Sequence, residues 1–291
     1  MATVDWRDEY PFESSWHTLP DGNRMHYIDQ GSGEPVLMVH GNPTWSFYYR
    51  HLIQAISETH RAVAVDHVGC GLSDKPQSYA YTLAQHTDNL LGLIESLGLS
   101  SIHLVLHDWG GAIGLGVAAK IKDRVKSLTL LNTGAFPPPY IPWRIYALRA
   151  PMLGTIGIRA FNLFAGPAIK MAMSRSKLSP LAKAGLLAPY RSWTQRVAVN
   201  AFVKDIPFST SHRSRKVLED VESGLASLAD KPVQLIWGMK DWCFNTVCLE
   251  RFKQHFPDAR SLEISDAGHY VMEDARDEVI QGIQHFLGLQ A

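Results

Sequence analysis

The feature that most constrains this chain is the stretch of residues 104–112, where an apolar strand-forming run changes abruptly into a glycine-rich helix start. A chain that turns from strand to helix within two residues strains its corner residue, and small neighbours such as Gly110 and Gly111 allow close approach. The corner residue, Asp108, is then directed out above the sheet, beside helix N–H groups that stabilise negative charge. Because Asp is also a favoured N-cap, this stretch alone leaves a nucleophile and a helix cap as alternatives.

Apolar runs that alternate with helical patterns predict a mainly parallel sheet, because parallel strands with both faces covered are apolar along their whole length. The predicted strands cover a hairpin at 17–29, and then 35–41, 62–66, 102–107, 125–131, 233–238 and 260–265. The predicted helices cover 45–58, 82–97, 110–122, 246–255 and 274–287. The expected fold is therefore α/β, with eight strands, mostly parallel, and helices on both faces.

The alternation stops between Phe136 and Pro207. This segment begins with the proline run of residues 137–139 and continues as helix-like pieces rich in Met, Leu, Phe, Tyr and Trp, without a clear strand. We expect residues 1–135 and 208–291 to form one catalytic core and residues 136–207 to form an inserted helical cap.

Composition excludes several classes of function. The 291 residues carry 28 Lys and Arg against 28 Asp and Glu, so no nucleic-acid partner is expected. The three cysteines contain no C-x-x-C pair, which is typical of a reducing compartment and indicates neither a disulfide framework nor a zinc site. No metal or cofactor is expected. The first twelve residues lack the profile of a signal peptide, which favours a cytoplasmic protein.

The most apolar stretch, residues 150–173, is interrupted by Arg159, Asn162 and Lys170, so it falls short of a membrane span. An apolar and basic segment of this kind suits contact with a membrane surface. Packing over an apolar pocket is the favoured interpretation.

Three polar residues follow predicted strands, where open α/β sheets place their chemistry. Asp108 follows one strand, Asp241 follows the strand at 233–238, and His269 follows the last. A carboxylate that displaces a leaving group from saturated carbon gives an ester open to attack by water, whereas Ser would give an unreactive ether. We expect His269 to activate that water and Asp241 to orient the imidazole.

Two further residues are candidate hydrogen-bond donors that would stabilise the negative charge developing on a leaving group. Asn42 supplies an amide from the loop after the strand at 35–41, and Trp109 follows Asp108 with an indole N–H. The alternatives are turn formation before Pro43 for Asn42 and core packing for Trp109.

These motifs together resemble the haloalkane dehalogenase branch of the α/β-hydrolases. The resemblance rests on His40-Gly41-Asn42-Pro43-Thr44, Asp66-x-x-Gly69-x-Gly71-x-Ser73, His107-Asp108-Trp109-Gly110-Gly111 and Asp266-Ala267-Gly268-His269. The order nucleophile, acid, histidine is also that of the superfamily. The chain departs from the usual elbow pattern at Leu106, where a small residue is common.

Longer strings, including residues 42–50, 131–136, 188–193, 237–244 and 269–274, resemble the β-lactone decarboxylases of bacterial long-chain olefin biosynthesis. That resemblance implies conversion of a cis-3,4-dialkyl-oxetan-2-one into a cis-alkene and carbon dioxide. It implies catalytic roles for Asp108, Asp241 and His269, and donor roles for Asn42 and Trp109. It also implies a hydrophobic substrate with long alkyl chains, and the other enzymes of that pathway as partners.

The resemblance leaves other functions open. Hydrolytic dehalogenation through an alkyl ester of Asp108 is the main alternative. Epoxide hydrolases share the Asp nucleophile but need paired cap tyrosines, for which Tyr140, Tyr146 and Tyr190 are the candidates. A third alternative is a non-catalytic relative that only binds a ligand. Another dehalogenase subgroup places its acid one core strand earlier, but residues 132–134 here contain no carboxylate, which favours Asp241.

Overall fold

A computed structural model describes residues 5–138 and 140–288. The N-terminal end of the expected core, Pro139 of the proline run and the last three residues lie outside the described residues. The expected eight-stranded, mostly parallel sheet is confirmed. Its strands are β1 (Ser15–Thr18), β2 (Arg24–Gln30), β3 (Pro35–Val39), β4 (Arg61–Val65), β5 (Ile102–Asp108), β6 (Val125–Thr133), β7 (Val233–Gly238) and β8 (Arg260–Ile264).

The strands lie in the order β1-β2-β4-β3-β5-β6-β7-β8. Strand β2 pairs antiparallel with both of its neighbours, and every other pairing is parallel. The predicted hairpin is therefore confirmed as β1 and β2. Strand β5 lies between β3 and β6 in the parallel region, so the corner at its end has parallel strands on both sides.

Helices surround this sheet on both faces. They are α1 (Arg50–Ile56), α2 (Leu83–Ser96), α3 (Trp109–Lys120), α4 (Trp143–Ala147), α5 (Leu153–Arg159), α6 (Ala165–Met171), α7 (Pro180–Leu187), α8 (Val197–Asp205), α9 (Arg215–Gly224), α10 (Thr246–His255), α11 (Val271–Asp274) and α12 (Arg276–Gly288). Within residues 5–138 and 140–288, short 3₁₀ helices cover Trp6–Glu9, Ser46–Tyr49, Lys122–Arg124, Thr194–Arg196 and Leu225–Leu228.

Alternate side chains of each central strand enter opposite core layers, which explains the continuous apolar runs. Leu37 and Val39 of β3 pack in the layer under α2, α3 and α10, whereas Val36 and Met38 pack in the layer under α1 and α12. A third, smaller cluster that includes Ile145 joins α4, α5 and α8. Among the described residues between β6 and β7, no strand is present, in keeping with the predicted break in the alternation.

Several predicted boundaries were wrong. The helix predicted over 45–58 is a 3₁₀ helix followed by α1. The helix predicted over 274–287 is confirmed as α12, and the short helix α11 before it was not predicted. Strand β6 extends two residues further than predicted, to Thr133. Helix α9 was not predicted, although its apolar Leu218 and Val221 follow helical spacing and pack beneath α3. Within the described ranges, no helix combines the length and hydropathy needed to cross a bilayer.

Glycine at position 110 is required by the closeness of α3 to the sheet. A Cβ atom there would collide with the backbone carbonyl oxygen of Val39, whereas a Cβ at Gly116, on the same helix, meets only side-chain atoms, the nearest 3.2 Å away on Val221. We expect Gly110→Ala to lower the free energy of unfolding by at least about 2 kcal/mol, because backbone cannot move aside easily. We expect Gly116→Ala to change it by less than about 1 kcal/mol, since helix propensity offsets the tighter packing. Urea denaturation of both variants tests this, and equal midpoints would contradict it.

Candidate active site

Asp108 lies at the sharp corner between β5 and α3. Its backbone has φ 53° and ψ −126°, a conformation that residues other than glycine rarely adopt. The hydroxyl of Thr133 donates to the Asp108 carbonyl oxygen at 2.5 Å, which stabilises the corner from β6. The side chain makes no capping hydrogen bond to α3, so the structure gives no support to the N-cap alternative.

The loop after β3 fixes the carboxylate of Asp108. The backbone N–H of Asn42 donates to Asp108 Oδ1 at 2.6 Å, and a Cβ at Gly41 would occupy the position of this carboxylate. Asp108 as a whole is only 6% exposed. One carboxylate oxygen is thus held by the backbone, while the second faces His269.

The structure brings His269 and Asp241 to Asp108, as predicted. His269 Nε2 lies 3.5 Å from Asp108 Oδ2, and His269 Nδ1 lies 2.8 Å from Asp241 Oδ2. The imidazole therefore lies between two carboxylates, one at the end of β5 and one in the loop after β7. The carboxyl ends of three parallel strands meet at one edge of the sheet, which is why residues so distant in sequence converge here.

Asn132, for which no role was predicted, holds Asp241 in place. Its Nδ2 donates to Asp241 Oδ2 at 3.0 Å and to the Gly238 carbonyl at 3.1 Å, and its Oδ1 accepts from Gly238 N at 2.8 Å. Two backbone N–H groups, of Cys243 and Phe244, donate to Asp241 Oδ1 at 2.7 and 3.1 Å. Asn132 has a φ of 31°, and a strand-ending Asn tolerant of the left-handed region is the sequence signal that could have identified it.

Asp274 ties the loop of His269 to residues 174–176. Its carboxylate accepts from the N–H groups of Gly268 at 2.7 Å, Ser174 at 2.6 Å and Ser176 at 2.9 Å. A second hydrogen bond joins Met171 to the loop that carries Asp241, since Trp242 Nε1 donates to the Met171 carbonyl at 2.8 Å. The segment between β6 and β7 is thus hydrogen-bonded to the loops that carry Asp241 and His269.

The charges of the three site residues are coupled. Burial lowers the pKa of His269, but the carboxylates of Asp241 and Asp108 outweigh burial and raise the pKa to about 10. Burial likewise raises the pKa of Asp108, but its hydrogen bond to His269 and the charge of that imidazolium hold the pKa below its ordinary value. At neutral pH the free site therefore contains an ionised Asp108 beside a protonated His269.

His107 is a second histidine at the site, with the opposite charge state. Its Nε2 lies 3.0 Å from the His269 carbonyl, and its ring centroid lies 4.6 Å from that of His269. Burial, together with the charge of His269, lowers the pKa of His107 to about 3. A neutral His107 thus packs under a charged His269 and adds no further positive charge.

A cavity of about 450 Å³ opens above Asp108 and His269. Apolar side chains of the helical segment form most of its wall, including Ile141, Leu148, Phe164 and Met171. The polar atoms of Asn42, Asp108, Trp109 and His269 lie at its floor, and Arg144 also lines the cavity. Such a cavity suits a hydrophobic ligand whose reactive group meets the carboxylate.

Asn42 and Trp109 both line the floor of this cavity. Asn42 Nδ2 donates to the Val199 carbonyl at 3.3 Å, and the second proton of that amide remains for a ligand. Trp109 packs against Phe202, with ring centroids 5.3 Å apart, which supports the core-packing interpretation. Its indole N–H donates to no group in the described part of the chain, which leaves it for an anionic atom beside Asp108.

The tyrosines considered for epoxide protonation are arranged differently. Tyr140 lines the cavity, but its hydroxyl donates to the carbonyls of Trp242 at 2.8 Å and Cys243 at 3.0 Å. Tyr190 is buried away from the cavity, with its hydroxyl 3.3 Å from the Thr44 carbonyl. Tyr146 is 52% exposed and does not line the cavity. The paired hydroxyls that this chemistry needs are not formed by these three residues.

No group of three or more His, Cys, Asp and Glu side chains within residues 5–138 and 140–288 is arranged to hold a metal ion. The side chains of the site supply a buried carboxylate, an imidazole and neutral N–H donors.

Comparison with known proteins gives concordant results. A family model described as the alpha/beta hydrolase fold matches residues 34–275. A cis-3-alkyl-4-alkyloxetan-2-one decarboxylase from Shewanella oneidensis is 43% identical over 273 residues, which is 92% of this chain and 86% of that protein. Haloalkane dehalogenase 2 from Mycobacterium bovis is 32% identical over 286 residues, 94% of each chain.

A solved structure has the same fold. The haloalkane dehalogenase DatA from Agrobacterium tumefaciens superposes with a TM-score of 0.86 at 24% identity, over 96% of this chain and 97% of that chain. These findings confirm both resemblances that the motifs indicated.

The coupled charges predict distinct titrations for the two histidines. We expect the His269 imidazole to stay protonated from neutral pH up to about pH 10, and His107 to stay neutral over the same range. Histidine ¹⁵N chemical shifts measured against pH test this, with His107 as the internal control. The Asp108→Asn variant should lower the pKa of His269, because one of its two carboxylate neighbours is lost. A pKa near 6.5 for His269 in the unmodified protein would contradict the charge assignment.

Proposed function

The chain belongs to the alpha/beta hydrolase family, and from that premise we propose that it decarboxylates cis-3-alkyl-4-alkyloxetan-2-ones through an Asp108 nucleophile. The observation that carries the proposal is the position of the Asp108 carboxylate in the lining of an apolar cavity, with its Oδ2 3.5 Å from His269 Nε2. The 43% identity to a decarboxylase of that name supports the choice of substrate.

The reaction begins with attack of Asp108 on the ring carbon that bears oxygen. One carboxylate oxygen forms a bond to this carbon while the ring carbon–oxygen bond breaks. The products of the step are an alkyl ester of Asp108 and a carboxylate on the neighbouring carbon. The strained four-membered ring makes this displacement favourable, and the buried position of Asp108 leaves its nucleophilic oxygen weakly hydrated.

Loss of carbon dioxide then returns the enzyme to its starting state. The bond between the carboxylate and its carbon breaks, its electron pair forms the alkene, and the ester oxygen leaves as the Asp108 carboxylate. Neither water nor a proton is consumed. Inversion during attack places the ester opposite the carboxylate, so an anti elimination keeps both alkyl groups on the same side and gives a cis-alkene.

His269 acts in this scheme mainly through its charge. A protonated imidazole beside Asp108 stabilises the departing Asp108 carboxylate in the second step. Asp241 keeps the imidazole charged and oriented, and Asn132 positions Asp241. The N–H groups of Trp109 and Asn42 are the donors for the substrate carboxylate released in the first step.

The segment above the site suits the alkyl chains of this substrate. We propose that residues 136–207 act as an inserted cap over a core formed by residues 1–135 and 208–291, and that the apolar cavity wall holds the two chains. We further propose a cytoplasmic enzyme of long-chain olefin biosynthesis, which works with the enzymes that supply its lactone.

Hydrolytic dehalogenation is the second candidate, favoured by the 32% identity to haloalkane dehalogenase 2. In that reaction Asp108 displaces a halide, which Trp109 and Asn42 stabilise. Formation of the ester removes the charge of Asp108, and the pKa of His269 then falls, so the imidazole can accept a proton from water.

The two candidates are separated by their products. Purified protein is incubated with a cis-dialkyl β-lactone and, separately, with a 1-bromoalkane, and alkene, carbon dioxide and bromide are measured. We expect alkene and carbon dioxide in equal amounts, without comparable bromide release. Bromide release without alkene would refute the decarboxylase and identify a dehalogenase.

Asp108→Asn should lower turnover by at least about 10³-fold, because an amide cannot form the ester. Asp88→Asn is the matched control, since Asp88 is an exposed residue paired with Lys120. Its turnover should equal that of the unmodified protein. Near-normal turnover by Asp108→Asn would refute the role of the carboxylate.

A further inference from the structure

The segment 136–207 differs sharply in charge from the rest of the chain. It contains ten Lys and Arg and a single acidic residue, Asp205, whereas the remainder contains 18 Lys and Arg against 27 Asp and Glu. The neutral total thus hides a segment with a net charge of +9 beside a body with a net charge of −9. Asp205 is only 1% exposed, accepts hydrogen bonds from Leu83 N and Ser214 Oγ, and pairs with Arg213. The surface of this segment therefore presents no free carboxylate within its described residues.

The same segment also concentrates the exposed apolar side chains. Of the twelve large hydrophobic residues that are exposed in the described chain, eight lie between residues 140 and 163. We define the apolar face as the six most exposed of these eight residues. They are, with the exposed fraction of each residue, Trp143 (74%), Tyr146 (52%), Met152 (75%), Leu153 (77%), Phe161 (70%) and Leu163 (49%). Clustered exposure of this kind marks an interaction surface.

The apolar face is continuous with the cavity above Asp108. Trp143 and Leu163 line that cavity although both are exposed, so they lie where it meets solvent. Leu163 packs against Gly157 of α5, which connects the cavity entrance to Met152 and Leu153 at the start of that helix. A hydrophobic molecule can thus pass from this surface to the active site along apolar side chains.

Basic side chains accompany the apolar face. Arg144 is exposed and lines the cavity beside Trp143. Lys170, Lys183 and Arg191 are exposed elsewhere on the segment, and the described residues provide no ion-pair partner for any of these four cations. Amphipathic surfaces that rest on membranes combine apolar and aromatic side chains with unpaired Lys and Arg in this way.

We propose that the apolar face docks on an anionic lipid surface and takes its substrate from the bilayer. The positive segment is attracted to lipid phosphates while the acidic body is repelled, which turns the cavity entrance toward the membrane. Trp143, Leu153 and Phe161 insert among the acyl chains. Uptake of substrate from the bilayer rests on the proposed function, whose long-chain dialkyl lactone partitions into lipid.

Flotation with vesicles tests the docking without any measurement of activity. Protein is mixed with vesicles of phosphatidylcholine and phosphatidylglycerol, or of phosphatidylcholine alone, at low and high salt. We expect flotation with the anionic vesicles at low salt, with weaker flotation at high salt because exposed charges are screened. Absence of flotation with the anionic vesicles would overturn the proposal.

Two variants locate the contact. Met152→Glu with Leu153→Glu should weaken binding to anionic vesicles by at least about tenfold, because two inserted side chains become charged. Val247→Glu is the matched control, since Val247 is 50% exposed but lies on α10, and binding should not change. Equal binding by both variants would overturn the assignment to the apolar face.

Activity measurements separate this proposal from the proposed function. With a short-chain, water-soluble lactone, the double variant should match the unmodified protein, because neither Met152 nor Leu153 lines the cavity. With a long-chain lactone in anionic vesicles, the variant should be slower. No activity of the unmodified protein on either lactone would refute the function, while flotation still tests the docking. A dimer in solution that the double variant dissociates, together with no flotation, would show that a second copy covers this face.

Discussion

The interaction on which the site depends is the pairing of one imidazolium with two carboxylates at the edge of a parallel sheet. His269 lies 2.8 Å from Asp241 and 3.5 Å from Asp108, and no one of the three is adjacent to another in sequence. Their charges are mutually stabilising only because the loops after β5, β7 and β8 meet above one sheet edge. Burial of the group makes each charge depend on the others, since a single charge of this kind would be costly to bury.

The local structure around this pairing follows from packing. The corner at Asp108 requires close approach of β3, β5, β6 and α3, which explains small or hydrogen-bonding residues at Gly41, Gly110 and Thr133. The same corner leaves the carboxylate facing a cavity rather than capping the helix that follows. A strained conformation is thus held by the surrounding sheet, as is common where reactive groups are placed.

The sequence predicted the sheet and the three central site residues because both depend on strong local patterns. Continuous apolar runs identified the buried strands, and strand ends identified Asp108, Asp241 and His269. The contacts of Asn132 and Asp274 could not be predicted in this way, because they join segments about 100 residues apart through side-chain geometry. Helix α9 was not predicted for a different reason, since its segment is mostly polar and only two of its ten residues are buried. The contrast in charge between residues 136–207 and the body was hidden by the neutral total.

The central claim is that Asp108 forms a covalent bond to the substrate, and intact-protein mass spectrometry of a His269→Gln variant tests it most directly. Without the imidazolium, the Asp108 carboxylate is a poorer leaving group but remains a nucleophile, so the ester should accumulate. After exposure to a cis-dialkyl β-lactone, we expect a gain equal to the mass of one whole lactone, located on the peptide that contains Asp108. Label on another residue, or continued alkene formation in an Asp108→Asn protein, would contradict the claim.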